Sequence, residues 1–109
     1  GDAKKLRFST GKLPFPEGLE ARRSEGDAGT IEVNWLKDFN VGGAHLMDEL
    51  LVISAGDGQY SKITGTGIER DALGGSFTLP GQPDRATHIY LFFGSLDHRD
   101  YSESVCFEV

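Results

Sequence analysis

The sequence predicts an all-β fold, an antiparallel two-sheet sandwich of about seven strands. Short β-branched and aromatic segments recur along the chain with turn residues between them. Helix signals are scarce, so the connecting helices of a parallel sheet are not expected. A length of 109 residues with 38% hydrophobic content suits one domain with its own core.

The clearest strand is residues 30–35, because Ile31, Val33 and Trp35 alternate with polar residues and so share one buried face. The last strand alternates in the same way and places Cys106 opposite Val105 and Phe107. The predicted strands are residues 5–10, 19–24, 30–35, 48–54, 59–64, 76–79, 87–94 and 101–109.

Turn residues separate these strands. Gly56-Asp57-Gly58 is typical of a tight hairpin turn. The other connections are a turn at residues 26–29, loops at 37–46 and 65–75, and a charged turn at 97–100.

The segment 87–93 is apolar on both faces, which indicates a central strand. We expect it to lie beside the strand that carries Leu50 to Ile53. In this interpretation Tyr90 and Phe92 face the other sheet, and the alternate residues face outward. On that outer face, Ile89, Leu91 and Phe93 lie beside either Leu51 and Ile53 or Leu50 and Val52. We take as the candidate interface Leu51, Ile53, Ile89, Leu91 and Phe93.

Five exposed side chains of this kind are unusual on a monomer, so we expect a cover. Residues 1–18 are predicted to be an N-terminal extension that packs on the sandwich formed by residues 19–109. The apolar residues of the extension that could supply partial cover are Leu6, Phe8, Leu13 and Phe15. The chain begins Gly-Asp-Ala without Met, which we interpret as a segment of a longer protein.

Composition restricts the partners. A net charge of −6 argues against nucleic acid and against anionic membranes, because both attract basic surfaces. Cys106 is the single cysteine, so no internal disulfide forms, and no apolar run is long enough to cross a bilayer. The sequence gives no indication of localisation.

No residue pattern indicates a chemical activity or a cofactor. His45, His88 and His98 are too far apart for a zinc site, and we interpret them as solvated or hydrogen-bonded. Residues 97–100 lack the spacing of a calcium loop. No Gly-x-Ser-x-Gly elbow is present, and Cys106 is interpreted as a packing residue. We therefore expect no catalytic, cofactor or metal residues, and no enzyme.

Two resemblances follow from these segments. Leu19 with residues 30–35 resembles strand A and the Trp-bearing strand B of a fibronectin type III module. Leu79, Tyr90 and Phe92 resemble its E–F corner and F strand, and residues 101–104 the start of its G strand. The departure is the stretch between Leu79 and Tyr90, which is longer than that module usually has.

The chain also resembles the C-terminal half of an uncharacterised Bacteroidota family, a domain of unknown function. That family has a basic, Gly-rich N-terminal part and implies no activity, only a preceding partner segment. The matching stretches are residues 5–9, 11, 13–14, 31–35, 48–52, 76–80, 87–93, 95–97 and 101–104.

Two functions fit these observations. The leading hypothesis is a non-enzymatic module that mediates protein association, with the preceding segment of its parent, another protein or a second copy as partner. The alternative is a carbohydrate-binding or cell-surface adhesion module with its ligand in loops 37–46 and 65–75.

Overall fold

The computed structural model describes residues 18–27, 29–36, 47–81, 85–95, 100–102 and 104–109, together with the backbone of residues 3–6. These residues form two antiparallel sheets that pack as a sandwich, which confirms the predicted all-β fold. The strands are β1 Ala3–Leu6, β2 Glu20–Arg23, β3 Thr30–Asn34, β4 Glu49–Gly56, β5 Gln59–Tyr60, β6 Thr64–Glu69, β7 Gly74–Thr78, β8 His88–Gly94 and β9 Ser104–Glu108.

The small sheet has the order β2-β3-β7. The large sheet has the order β1-β9-β8-β4-β5, and β6 also pairs with β4, next to β5. Strand β4 therefore lies beside β8, as predicted, with Leu51 opposite Phe92 and Ile53 opposite Tyr90. Strand β1 extends the large sheet by pairing with β9.

The two sheets enclose the main core. Strand β3 contributes Ile31 and Val33, and Trp35 follows at its end, so the predicted face of this segment is confirmed. Val105 and Phe107 of β9 also point inward, and Cys106 points outward, as their alternation indicated. We call the buried residues between the sheets the inner cluster: Ile31, Val33, Trp35, Leu50, Val52, Ile68, Phe77, Leu79, Ala86, Ile89, Leu91, Phe93, Val105 and Phe107.

The hairpin between β4 and β5 confirms the tight turn predicted at Gly56-Asp57-Gly58. Asp57 has φ 53° and Gly58 has φ 75°. Positive φ at both central residues is the geometry of a type I′ turn, whose twist matches that of the flanking strands. Aspartate followed by glycine tolerates this geometry at little cost, which explains why the sequence signal was reliable here.

The loop predicted at residues 65–75 is wrong. Strand β6 occupies most of it, a 3₁₀ turn at Arg70–Ala72 follows, and β7 begins at Gly74. The glycines of this segment suggested a loop, but they belong to a strand with a β-bulge. The register of β6 against β4 shifts between Glu49 and Leu51, and Gly67 has φ 77°. Glycine inside a strand is typical of such a bulge.

The other predicted boundaries differ less. The strand predicted at residues 59–64 is limited to β5, and Thr64 already belongs to β6. The opening strand predicted at residues 5–10 begins earlier, at Ala3. Residues 7–10, loop 37–46 and most of the turn at 97–100 lie outside the described residues, as does the proposed packing of Phe8, Leu13 and Phe15.

Candidate contact surface

The two faces of strand β8 are reversed relative to the prediction: the face expected outside lies against the small sheet. Ile89, Leu91 and Phe93 belong to the inner cluster and have no exposed surface. Tyr90 and Phe92 lie on the outer face of the large sheet. Three members of the candidate interface are therefore core residues, and their placement on an outer surface was wrong.

The register between β8 and β9 gives the physical reason. Ile89 pairs with Phe107, and Leu91 pairs with Val105. Residues directly opposite each other on neighbouring strands share a face. The alternation of β9 predicts that Val105 and Phe107 face inward. Strand β8 is apolar on both sides, so its own sequence does not indicate which side faces inward.

Leu51 and Ile53 do lie on the outer face, as predicted. They belong to a second group of buried residues, which we call the outer cluster: Leu51, Ile53, Tyr90, Phe92 and Cys106, with Ala55 and Tyr101 packed against them. The rings of Phe92 and Tyr101 meet edge to face, with their centroids 5.9 Å apart. No member of the outer cluster is more than 8% exposed, so this face is covered within the chain.

Tyr90 is the polar centre of the outer cluster. Its side chain lies near those of Cys106 and Tyr60. Burial, and to a smaller degree Cys106 and Tyr60, raises the pKa of Tyr90 from 10.0 to about 12. The phenol therefore stays protonated at neutral pH, where it serves as a hydrogen-bonding group rather than as a base.

Four large apolar residues are exposed among the described residues: Leu36, Met47, Tyr60 and Ile63. Tyr60 and Ile63 lie in and after the short strand β5. Tyr60 is 62% exposed and Ile63 is 56% exposed. Tyr60 contacts Tyr90 with ring centroids 6.1 Å apart, and Ile63 immediately precedes Thr64, which pairs with Val52. We call Tyr60 and Ile63 the apolar rim. Through Tyr60, it adjoins the outer cluster beside Tyr90.

A buried ion pair, which the sequence did not indicate, closes one end of the sandwich. The side chains of Arg70 and Asp48 are 5% and 3% exposed, with Nε and Oδ2 3.7 Å apart. The guanidinium lies 4.4 Å from the ring centre of Phe93, and the indole N–H of Trp35 donates to the Arg70 carbonyl at 2.9 Å. Arg70 lies in residues 65–75, which the glycine-rich sequence predicted to be a loop, so the burial of its side chain was not predicted.

Among the described residues, His88 is the one histidine. His88 lies at the end of β8, with Nδ1 2.9 Å from the Thr87 hydroxyl and Nε2 3.8 Å from the Glu108 carboxylate. Within the part of the chain that the structure describes, no three His, Cys, Asp or Glu side chains are grouped to hold a metal ion. His45 and His98 lie outside the described residues.

The comparisons identify no relatives. No protein-family model, no curated protein and no solved structure matches this chain. Among the described residues, no helix is long and apolar enough to cross a membrane.

Proposed function

We propose that this chain is a non-enzymatic β-sandwich module that mediates protein association. The observation that carries the proposal is the apolar rim, where Tyr60 and Ile63 leave more than half of each side chain in water. Tyr60 contacts Tyr90 of the outer cluster, so a partner that covers the rim would extend a packed apolar surface that already exists. Burying one such side chain stabilises a complex by about 1.5–3 kcal/mol.

The partner is a second copy of the chain, another protein, or the segment that precedes this one in a longer parent. A second copy is the partner that the isolated chain can test. In a two-fold symmetric dimer, the apolar rims of the two copies face each other.

Sedimentation velocity over a concentration series tests association between copies. We expect the wild type to dimerise and Ile63→Ser to weaken the dimer at least about tenfold, equivalent to about 1.4 kcal/mol. Leu36→Ser is the matched control, because Leu36 is 63% exposed but follows β3 in the other sheet. A wild type that stays monomeric, or equal weakening by both variants, would contradict association between copies through the rim. The same two variants in the longer parent would then test the preceding segment.

We also propose that the sandwich is of the fibronectin type III or immunoglobulin kind. An immunoglobulin-type sandwich pairs strands A, B and E in one sheet and C, F and G in the other. Here the small sheet contains β2, β3 and β7, which correspond to strands A, B and E. The large sheet contains β4, β8 and β9, which correspond to strands C, F and G. Modules of this architecture commonly serve in protein contacts, although the fold alone does not define a function.

The alternative, a carbohydrate-binding or cell-surface adhesion module, was placed on loops 37–46 and 65–75, of which the structure describes only the second. Residues 65–75 form β6, the 3₁₀ turn and the start of β7 rather than a ligand loop. Residues 37–46 lie outside the described residues. The proposal of a ligand in loop 37–46 therefore stays a prediction, and residues 65–75 no longer support it as a loop.

A further inference from the structure

A cleft opens between the β4–β5 hairpin and the segment that leads into β8. Its volume is about 430 Å³, within the range of small-ligand sites in proteins. We call it the hairpin cleft. The residues that line it include Ser54, Asp57, Gln59, Tyr60, Ser61 and Arg85.

Short hydrogen bonds fix both walls of the cleft. Ser54 donates its hydroxyl to the Pro80 carbonyl at 2.8 Å, and its backbone N–H donates to the Ser61 hydroxyl at 2.9 Å. The second wall of the cleft is the segment of residues 85–87 that leads into β8. The backbone N–H of Thr87 donates to the carbonyl of Ala55 at 2.9 Å, which joins this second wall to β4. These bonds hold the backbone of the cleft in place before a ligand binds, which lowers the entropy cost of binding.

The polar groups of the cleft carry charges of both signs. Arg85 Nε lies 3.9 Å from Asp57 Oδ2, and both side chains are about two-thirds exposed, at 69% and 66%. Together with the amide of Gln59, they offer hydrogen-bond donors and acceptors in planar groups. Because the two charges cancel, the cleft favours a neutral polar ligand over an anion, and the chain's net charge of −6 also disfavours anions.

Tyr60 adds an apolar surface to this polar site. Its ring is largely exposed and is positioned by its contact with Tyr90. An aromatic ring has an apolar face suited to the C–H groups of a sugar ring, while the hydroxyls of that sugar need donors and acceptors at its edge. The hairpin cleft provides both within one small volume.

We propose that the hairpin cleft binds a neutral carbohydrate of one or two sugar rings, with Tyr60 against the apolar face of one ring. Asp57, Gln59 and Arg85 would then hydrogen-bond to the hydroxyls. The cleft shares Tyr60 with the apolar rim, whereas Asp57 and Arg85 line the cleft and are not part of the rim. Variants of Arg85 and of Ile63 therefore test the two surfaces separately.

The first test is an NMR titration of the ¹⁵N-labelled chain with methyl glycosides of glucose, galactose, mannose, xylose and N-acetylglucosamine, and with cellobiose and maltose. We expect at least one of these sugars to shift the amides of residues 56–61, 81 and 85. Glycerol is the control for weak contacts with hydroxyl groups. Absence of saturable shifts with every sugar, or shifts centred elsewhere, would overturn the proposal.

The second test uses variants with the sugar that shifts these amides. Arg85→Ala and Tyr60→Ala should each weaken binding at least about tenfold, while Tyr60→Phe, which keeps the ring, should stay within about threefold. Arg22→Ala is the matched control, because Arg22 forms an exposed ion pair with Glu32 at 3.1 Å on the small sheet. Unchanged binding in Arg85→Ala, or equal loss in Arg22→Ala, would refute the assignment.

The sugar site and the association surface can fail separately. Ile63→Ser should leave sugar binding unchanged, and Arg85→Ala should leave sedimentation unchanged. Sugar binding by a strictly monomeric chain would retain the cleft and remove association between copies. Loss of sugar binding in Ile63→Ser would instead show that the two surfaces are one, contrary to this proposal.

Discussion

At the scale of single residues, Arg70 has the most demanding environment among the described residues. Its guanidinium is buried beside the Asp48 carboxylate and the face of Phe93, and its carbonyl accepts the Trp35 indole N–H. Removing two charges from water costs several kcal/mol, and their mutual attraction offsets this only when both remain. The pair is therefore more important for what its disruption would cost than for its net stabilisation.

We predict that Arg70→Met lowers the free energy of unfolding by about 3–5 kcal/mol, because it leaves a buried carboxylate without its counter-charge. Urea denaturation, followed by Trp35 fluorescence, measures this loss. Arg22→Met removes an exposed pair, with side chains 78% and 43% exposed, and should cost no more than about 1 kcal/mol. The double variant Asp48→Asn/Arg70→Met should recover part of the loss. Equal effects of Arg70→Met and Arg22→Met would contradict the buried pair.

The sequence could not indicate this pair, although it indicated the residues around it. Trp35 was predictable as core because it continues the alternation of Ile31 and Val33. Arg70 follows two glycines in a segment without an uninterrupted apolar pattern, and nothing local distinguishes it from a solvated arginine. Its burial depends on β6 turning over the end of the sandwich, which is a tertiary event.

At the scale of elements, the β4–β5 hairpin depends on two glycines for different reasons. Gly58 has a positive φ, and a Cβ added there would meet no atom within 4 Å. Gly56 is different because a Cβ there would overlap the carbonyl oxygen of Arg85. The first glycine meets a conformational requirement of the turn, and the second permits the close approach of hairpin and second wall that forms the hairpin cleft.

We predict graded losses of stability for three alanine substitutions. Gly26→Ala should be close to neutral, since a Cβ there meets nothing within 4 Å and no positive φ is involved. Gly58→Ala should cost about 1–2 kcal/mol for its left-handed conformation. Gly56→Ala should cost about 2 kcal/mol or more, because backbone must move to relieve the overlap. Thermal and urea denaturation rank the three variants, and a neutral Gly56→Ala would show that the hairpin is not held against Arg85.

The residue pattern correctly predicts the buried face of β3 and of β9, but not which face of β8 lies against the small sheet. In β3, one set of alternate residues is polar, so the buried set is evident. In β8, both sets are apolar and both are buried, so the strand itself cannot specify its orientation. The orientation is set by register with β9, whose Cys106 and Glu108 mark the outward side. A sequence prediction for β8 would therefore have to start from its neighbour rather than from its own pattern.

At the scale of the whole molecule, the large sheet joins two buried clusters through the same strands. Ile89 belongs to the inner cluster and the next residue, Tyr90, to the outer cluster; Val105 and Cys106 are divided in the same way. Separating β8 from β9 would disrupt both groups at once. We therefore expect the two faces of this sheet to unfold together.

This expectation can be tested because each cluster contains a unique reporter. The chain has one Trp and one Cys: Trp35 in the inner cluster and Cys106, 7% exposed, in the outer cluster. In a urea series, Trp35 fluorescence and pulsed thiol labelling of Cys106 should give the same midpoint, because a two-state transition is independent of the probe. The exposed Ser76→Cys, in a Cys106→Ser background, gives the labelling rate of an unprotected thiol. Labelling of Cys106 at urea concentrations where Trp35 fluorescence is still native would mean that the outer face opens by itself. The outer cluster would then be available to a partner without unfolding of the sandwich, and the association surface would extend beyond the apolar rim to Leu51 and Ile53.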